Sequence, residues 1–331
     1  MNRVATAVAA SLLLALACAT PTALAGMGYG NQKQKPPKSS VGIATTSATG
    51  PGAVASATAT CRKGSRAIGG GFRGPSSSEV IGIPFESVKV GQRSWRASMQ
   101  LLDIGSPSTL TLTVQVNCRA KAAKTRTVSA TVPTTGVTGV GPAATASCQG
   151  DRRAVAGGFT MPPPLVGQIA TSLVFDSRRS GARAWTTRVA TGAAGPSTLT
   201  SHAYCAKRGQ SLAERSSASA PNGEEFGLSS ALASCDQPPV PFAGGFSQPG
   251  GNVNSFFVIS ESIGVGVGWQ ASGIHSGTVP AVTLSAHVYC GAATTGLLSR
   301  RSRSVRRKLV VPFSEHAEGG PEALLRSLLV K

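Results

Sequence analysis

Small apolar and hydroxylated residues alternate along several stretches of the chain, each ending in a cysteine. The first is Ala57-Thr58-Ala59-Thr60-Cys61, matched by residues 144–148 and 231–235. Successive side chains of a strand point to opposite faces, so period two predicts a strand whose cysteine-bearing face is buried. A second set runs over 111–118, 198–205 and 283–290. Here Leu112, Val114 and Val116 lie on the side of Cys118, Leu199 and Ala203 on that of Cys205, and Leu284, Ala286 and Val288 on that of Cys290. The opposite side carries Thr113, Gln115 and Asn117, then Thr200, His202 and Tyr204, then Ser285, His287 and Tyr289. That division predicts half-buried antiparallel strands.

The pattern recurs with a period of 87: Cys61, Cys148 and Cys235 obey it, as do Phe72, Phe159 and Phe246, each behind a Gly pair. Three copies of one unit follow. Each owns one Trp (Trp95, Trp185, Trp269) and one acid–Ser pair, Glu86-Ser87, Asp176-Ser177 or Glu261-Ser262, the Ser seven or eight residues ahead of its Trp. The Trp heads a further strand, as in 95–99. The expectation is all-β: three tandem antiparallel β-sandwich-like modules at 41–120, 121–209 and 210–296, each self-contained, with five to seven short strands and one internal disulfide. A β-trefoil or β-prism also triplicates, but from shorter repeats.

Residues 1–25 read as a secretory signal: Arg3, an apolar stretch from Val4 to Cys18, then Thr22-Ala23-Leu24-Ala25 before a cut ahead of Gly26. The apolar run is shorter than the roughly 20 residues needed to span a bilayer. Ala15-Leu16-Ala17-Cys18 offers only a loose lipoprotein alternative, with Leu one place out of step. The remaining six cysteines, in an oxidising compartment, argue for disulfides. Closing each unit pairs Cys61 with Cys118, Cys148 with Cys205 and Cys235 with Cys290. The rival scheme joins Cys118 to Cys148 and Cys205 to Cys235 across units. Each within-unit bridge closes a loop worth roughly 4 kcal/mol in the chain-entropy model, and a small module poor in aromatics needs such a staple.

The order Ala-x-Ala-Ser/Thr-Cys, Gly-Gly-Phe, Trp, Thr-Leu, Cys resembles a repeat of secreted proteins from high-GC Gram-positive bacteria. The resemblance covers about residues 41–296; Cys61-Arg62-Lys63-Gly64 with Gly69 to Phe72 fits best and the third copy, Cys235-Asp236-Gln237-Pro238, least. It implies the β scaffold and secretion, and carries no activity.

Candidate chemistry is sparse. His202 and Tyr204, with His287 and Tyr289, share registers facing away from the disulfides, the pattern of a ligand face for a carbohydrate or peptide, or of an ordinary solvated or packed sheet face. The first copy has Gln115 and Asn117 there, against catalysis or metal binding. One acid per unit does not make the close carboxylate pair of a glycosidase, and a carboxylate capping a turn is the simpler expectation. The tryptophans read as core anchors, with sugar or base stacking as the alternative. No His-Glu-x-x-His, Gly-x-Ser-x-Gly, phosphate-loop or Cys-x-x-Cys string occurs. Gly264-Val265-Gly266-Val267-Gly268 lies in a β-like run, without the helix that phosphate binding needs. These readings favour a non-enzymatic protein without cofactor or metal, leaving a polymer hydrolase as the remote alternative.

Charge changes the picture most. The chain has 32 Lys and Arg against 13 Asp and Glu, a formal charge of +19. By segment the net is +3 for a flexible linker (26–40), +5, +9 and −4 for the three repeats, and +5 for the tail (297–331). The second repeat contributes Arg152, Arg153, Arg178, Arg179, Arg183 and Arg188; the tail packs Arg300, Arg301, Arg303, Arg306, Arg307 and Lys308 together. Such clusters attract polyanions by a salt-dependent term indifferent to sequence: wall or matrix polymers, nucleic acid only non-specifically, and a membrane peripherally through the tail, where residues 321–331 could form a short helix with Leu324, Leu325, Leu328 and Leu329 on one side. A basic surface serving only solubility is the alternative. The sequence thus predicts a secreted binding or adhesion protein of the cell envelope, or else an envelope spacer without a specific ligand, in an oligomeric state it does not specify.

Overall fold

The computed structural model describes residues 39–291, except 51, 76, 78–79, 104–108, 135–138, 164–171, 192–196, 208–211, 237–240, 253 and 278–280. The expected signal segment, nearly all of the expected linker, and the tail with its cluster Arg300, Arg301, Arg303, Arg306, Arg307 and Lys308 lie outside the described residues.

Six strands belong to each repeat, and among the described residues there is no helix. The first repeat holds β1 (Ser39–Thr49), β2 (Val54–Thr60), β3 (Ser65–Arg73), β4 (Val80–Val90), β5 (Ser94–Asp103) and β6 (Thr109–Ala120). The second holds β7 (Arg126–Thr134), β8 (Gly139–Ser147), β9 (Arg153–Thr160), β10 (Ser172–Arg179), β11 (Ala184–Thr191) and β12 (Ser197–Ala206). The third holds β13 (Leu212–Ala218), β14 (Leu228–Ser234), β15 (Pro241–Ser247), β16 (Phe256–Val265), β17 (Gly268–Ser276) and β18 (Ser285–Gly291). The alternation works as expected on the cysteine side: Ala55, Ala57 and Ala59 are buried with Cys61, and Leu110, Leu112, Val114 and Val116 with Cys118. Disulfides join Cys61 to Cys118, Cys148 to Cys205 and Cys235 to Cys290, with Cα–Cα distances of 5.6, 5.7 and 5.8 Å. The within-unit scheme therefore holds.

The repeats are not self-contained. Each splits into two three-stranded half-sheets, and each half continues into a half from a neighbour. The three six-stranded sheets run β1-β6-β3-β16-β17-β14, β2-β5-β4-β9-β12-β7 and β13-β18-β15-β10-β11-β8. The joints are β4 on β9, β10 on β15 and β16 on β3, so repeat 1 meets 2, 2 meets 3, and 3 closes back on 1. All three joints are antiparallel, with Ser87 opposite Phe159, Ser177 opposite Phe246 and Ser262 opposite Phe72. One hydrophobic cluster draws on all three repeats, including Phe72, Phe159 and Phe246. Phe72 and Phe159 meet edge to face at 6.4 Å between ring centres. A second cluster gathers Ile81 and Ile83, Leu173 and Phe175, and Phe256 and Val258 from β4, β10 and β16.

The Gly-Gly-Phe motif makes these joints possible. A Cβ on the first glycine would lie 2.0–2.3 Å from the indole of the same repeat's Trp, at Gly70, Gly157 and Gly244. A Cβ on the second would lie 2.0–2.1 Å from a serine carbonyl oxygen of the neighbouring repeat: Gly71 against Ser262, Gly158 against Ser87, Gly245 against Ser177. The serines of the acid–Ser pairs also fix the indoles. Each Oγ accepts the Trp Nε1–H, at 3.0 Å for Ser87 and Trp95, 3.0 Å for Ser177 and Trp185, and 2.9 Å for Ser262 and Trp269. The tryptophans are thus core anchors, each 1% exposed.

Two local expectations need correction. The acids of these pairs cap no turn. They sit inside β4, β10 and β16, beside register shifts between Pro84 and Glu86, Val174 and Asp176, and Ile259 and Glu261. The run 264–268 is a hairpin rather than one continuous strand, turning at Gly266 (φ 57°) between β16 and β17.

Because Gly158 faces neighbouring backbone, which has nowhere to go, Gly158→Ala should cost about 3 kcal/mol. Gly139→Ala, with open space at the Cβ position, should change stability by no more than about 0.5 kcal/mol. Denaturant unfolding of both variants checks this; equal midpoints would contradict the joint. The shared core further predicts one cooperative calorimetric transition for the full chain, and no stable fold for residues 41–120 alone.

Candidate functional site

The links between repeats carry the most distinctive side-chain chemistry. Residues 121–125 join β6 to β7. Arg66 Nη1 donates to the Ala122 carbonyl, Lys89 Nζ to Thr125 Oγ1 at 2.8 Å, and Gln92 Nε2 to the Thr125 carbonyl at 3.4 Å. Lys121 takes a left-handed conformation, φ 56°. This pinned link forms one wall of a cleft of about 350 Å3 lined by Ala123, Lys124, Thr125, Arg126, Arg152 and Lys207. Strand pairing puts Arg126 opposite Cys205, Lys207 follows Cys205 by two residues, and Arg152 follows Cys148 by four. The Cys148–Cys205 bridge therefore gathers four cations at one end of the second repeat, and the cleft lining contains no acid.

The cations of the cleft are peculiar to that repeat. The registers of Arg126, Arg152 and Lys207 hold Ser40, Ser65 and Ala120 in the first repeat and Ala213, Pro239 and Ala292 in the third. Of the basic residues expected from the sequence, only Arg152 lines the cleft; Lys124, Arg126 and Lys207 were not singled out. Their signal was present as charge in the five-residue link, at the first residue of β7 and just past a closing cysteine.

The other second-repeat arginines have different surroundings. Arg153 begins β9 and is partly exposed. Arg183 binds the Cys148 carbonyl through Nε (3.2 Å) and Nη2 (2.9 Å), as Arg93 binds the Cys61 carbonyl. Arg188 pairs with the buried Asp176 at 2.6 Å and lies over Phe175. Arg178 and Arg179 end β10; Arg179 lies over the Tyr289 ring at 5.4 Å. The structure thus divides the predicted cluster between a cleft, a strand end and interior roles.

The expected ligand face is likewise occupied from within. Tyr204 is 2% exposed and Tyr289 0%. Each ring meets the preceding repeat's Trp edge to face, Trp95 at 5.5 Å and Trp185 at 5.4 Å. Each hydroxyl accepts a backbone N–H there, from Lys89 at 2.6 Å and Arg179 at 2.7 Å. These tyrosines are joint fillers and are not presented to an external ligand. Burial pushes both phenols above their ordinary range. His202 bridges strands through Ser129 and Thr160, both at 2.8 Å, and burial lowers its pKa. His287 contacts Ser247 at 2.8 Å and Glu214 at 3.4 Å, and the nearness of His287 holds Glu214 below the usual carboxylate range.

The three interior acids are also engaged. Glu86 takes a two-pronged bond from Arg96 (2.9 and 2.6 Å) and another from Ser98. Asp176 accepts the backbone N–H of Gln248 in the next repeat at 2.9 Å, and Glu261 accepts Arg73 of the first repeat at 2.5 Å. Among the described residues no three His, Cys, Asp or Glu side chains converge as a metal site would require. No protein-family model matches the chain, and no curated protein matches it in sequence.

Lys89 gives this region a pH signature. Burial, helped by Arg66, lowers its ammonium from 10.5 to about 8. Between pH 8 and 10 the unfolded chain holds more of that proton than the folded one, so the burial penalty is full below pH 8 and relaxes as pH rises. Lys89→Met should therefore stabilise the protein most below pH 8, with its advantage over the wild type shrinking toward pH 10. Denaturation midpoints across that range provide the check, and parallel profiles would contradict the assignment.

Proposed function

We propose that the protein is a secreted, non-enzymatic binding protein of the cell envelope that engages anionic polymers by charge. The three disulfides are consistent with an extracellular setting. The observation carrying the reading is the cleft of Lys124, Arg126, Arg152 and Lys207, concave and without an acidic lining residue. A basic surface needed only for solubility requires no such gathering on a pinned link, nor its confinement to the most basic repeat. A chain of phosphates, carboxylates or sulfates laid in the cleft would meet four cations within one or two repeat units. Its counterions would be released, so affinity would fall steeply with salt. The tail's basic cluster extends the same chemistry along a longer polymer.

The test is retention of residues 26–331 on heparin and on purified cell walls across a salt gradient. Replacing Lys124, Arg126, Arg152 and Lys207 by Ala should lower the elution salt, and each cation removed should reduce the salt slope by about 1. Arg183→Ala should act mainly on stability, because its guanidinium holds the Cys148 carbonyl. Elution of wild type and fourfold variant at the same low salt would leave the spacer reading in its place.

A further inference from the structure

The three joints share a construction, and one of them lacks its filler. The residue before each closing cysteine is Tyr204, Tyr289 or, in the first repeat, Asn117. The residue two beyond each joint serine is Lys89, Arg179 or, in the third repeat, Gly264. Where repeat 1 meets 2 and 2 meets 3, a tyrosine ring lies against the Trp, its hydroxyl accepts that residue's amide, and the same residue's cationic side chain covers the ring. Where repeat 3 closes on repeat 1, Trp269 keeps its bond to Ser262, but both ring and cation are absent from the sequence.

The space is only partly taken up. Gln115 leans toward Gly264, where an added Cβ would come within 2.7 Å of its Nε2. Gln115 Nε2 donates to Asn117 Oδ1 at 2.9 Å, and Asn117 Nδ2 reaches the Phe242 carbonyl at 3.5 Å. Beside this amide pair lies an open cavity of about 170 Å3. Ser39, Ser40, Gln115 and Asn117 supply its polar wall, and Val41, Ile68 and Pro241 its apolar one.

We propose that this cavity binds a small para-substituted phenol, beside the joint position that Tyr204 and Tyr289 fill at the other two. A dry cavity of roughly 150 Å3 is enough to take up benzene, so the volume suits one six-membered ring with a small substituent. The apolar residues cover the ring faces, while the serine hydroxyls and side-chain amides receive the phenolic oxygen. The scaffold already accommodates this group at the other two joints, and the two residues by which the third differs, Asn117 in place of Tyr and Gly264 in place of Lys or Arg, both line the cavity. This inference is independent of polyanion binding, which uses a cleft in the second repeat.

The test titrates the full chain with 4-methylphenol, followed by amide NMR and calorimetry. Saturable shifts at Gly264, Gln115 and Asn117 are expected, with toluene, which lacks the hydroxyl, and glucose, which lacks the flat ring, each binding at least tenfold more weakly. Asn117→Tyr should fill the cavity and weaken 4-methylphenol at least tenfold while keeping or raising the unfolding midpoint. Gly264→Val fills it from the opposite wall and serves the same purpose should the tyrosine variant fail to fold. No saturable binding at millimolar 4-methylphenol, unchanged affinity in a folded filled variant, or equal binding of toluene or glucose would each overturn the proposal.

Discussion

Three glycines make the architecture possible. At Gly71, Gly158 and Gly245 the backbone of one repeat comes so near a serine carbonyl of another that no side chain fits between them. Everything central depends on that approach. It lets the half-sheets join edge to edge, brings Phe72, Phe159 and Phe246 into one cluster, and sets each acid–Ser pair where its serine holds an indole. The neighbouring glycines, Gly70, Gly157 and Gly244, serve the repeat's own core by giving the Trp ring a flat seat. A two-residue motif thus performs one task within a repeat and another between repeats.

Much of this was legible in the chain. Period two located the strands leading into each cysteine, since the disulfide face had to be buried. The 87-residue register favoured the disulfide pairing, and one Trp per copy marked the core. The sharing of sheets was not legible, for a physical reason: alternation reports which face of a strand is buried and says nothing about which strand lies at its edge. A repeat that closes on itself and one that lends half its strands to a neighbour carry the same periodicity. The same blindness left Tyr204 and Tyr289 open between a ligand face, a solvated face and a packed one. The structure shows them packed, because near a joint that side of the sheet is covered by the adjoining repeat.

Divergence among the copies is where function becomes readable. The second repeat concentrates cations around its disulfide while the third carries a net negative charge, and the frame of strands is common to both. Counting arginines singled out the second repeat, but the cleft itself depended on the fold. Of the residues counted, Arg183 and Arg188 are tied to the Cys148 carbonyl and to Asp176, whereas Lys124 and Lys207, unremarkable in the chain, stand beside Arg152.

Closure of the third joint has a consequence for how the molecule is made. Arg73 and its partner Glu261 are 188 positions apart, so the edge of β3 has no mate until the third repeat has been made. Loop closure on that scale is slow, and an unpaired strand edge invites association with other chains. The first repeat can therefore form its own disulfide early, but its β4 border stays open until the second repeat arrives and its β3 border until the third. Folding becomes a race between the arrival of the last repeat and unwanted pairing of the first.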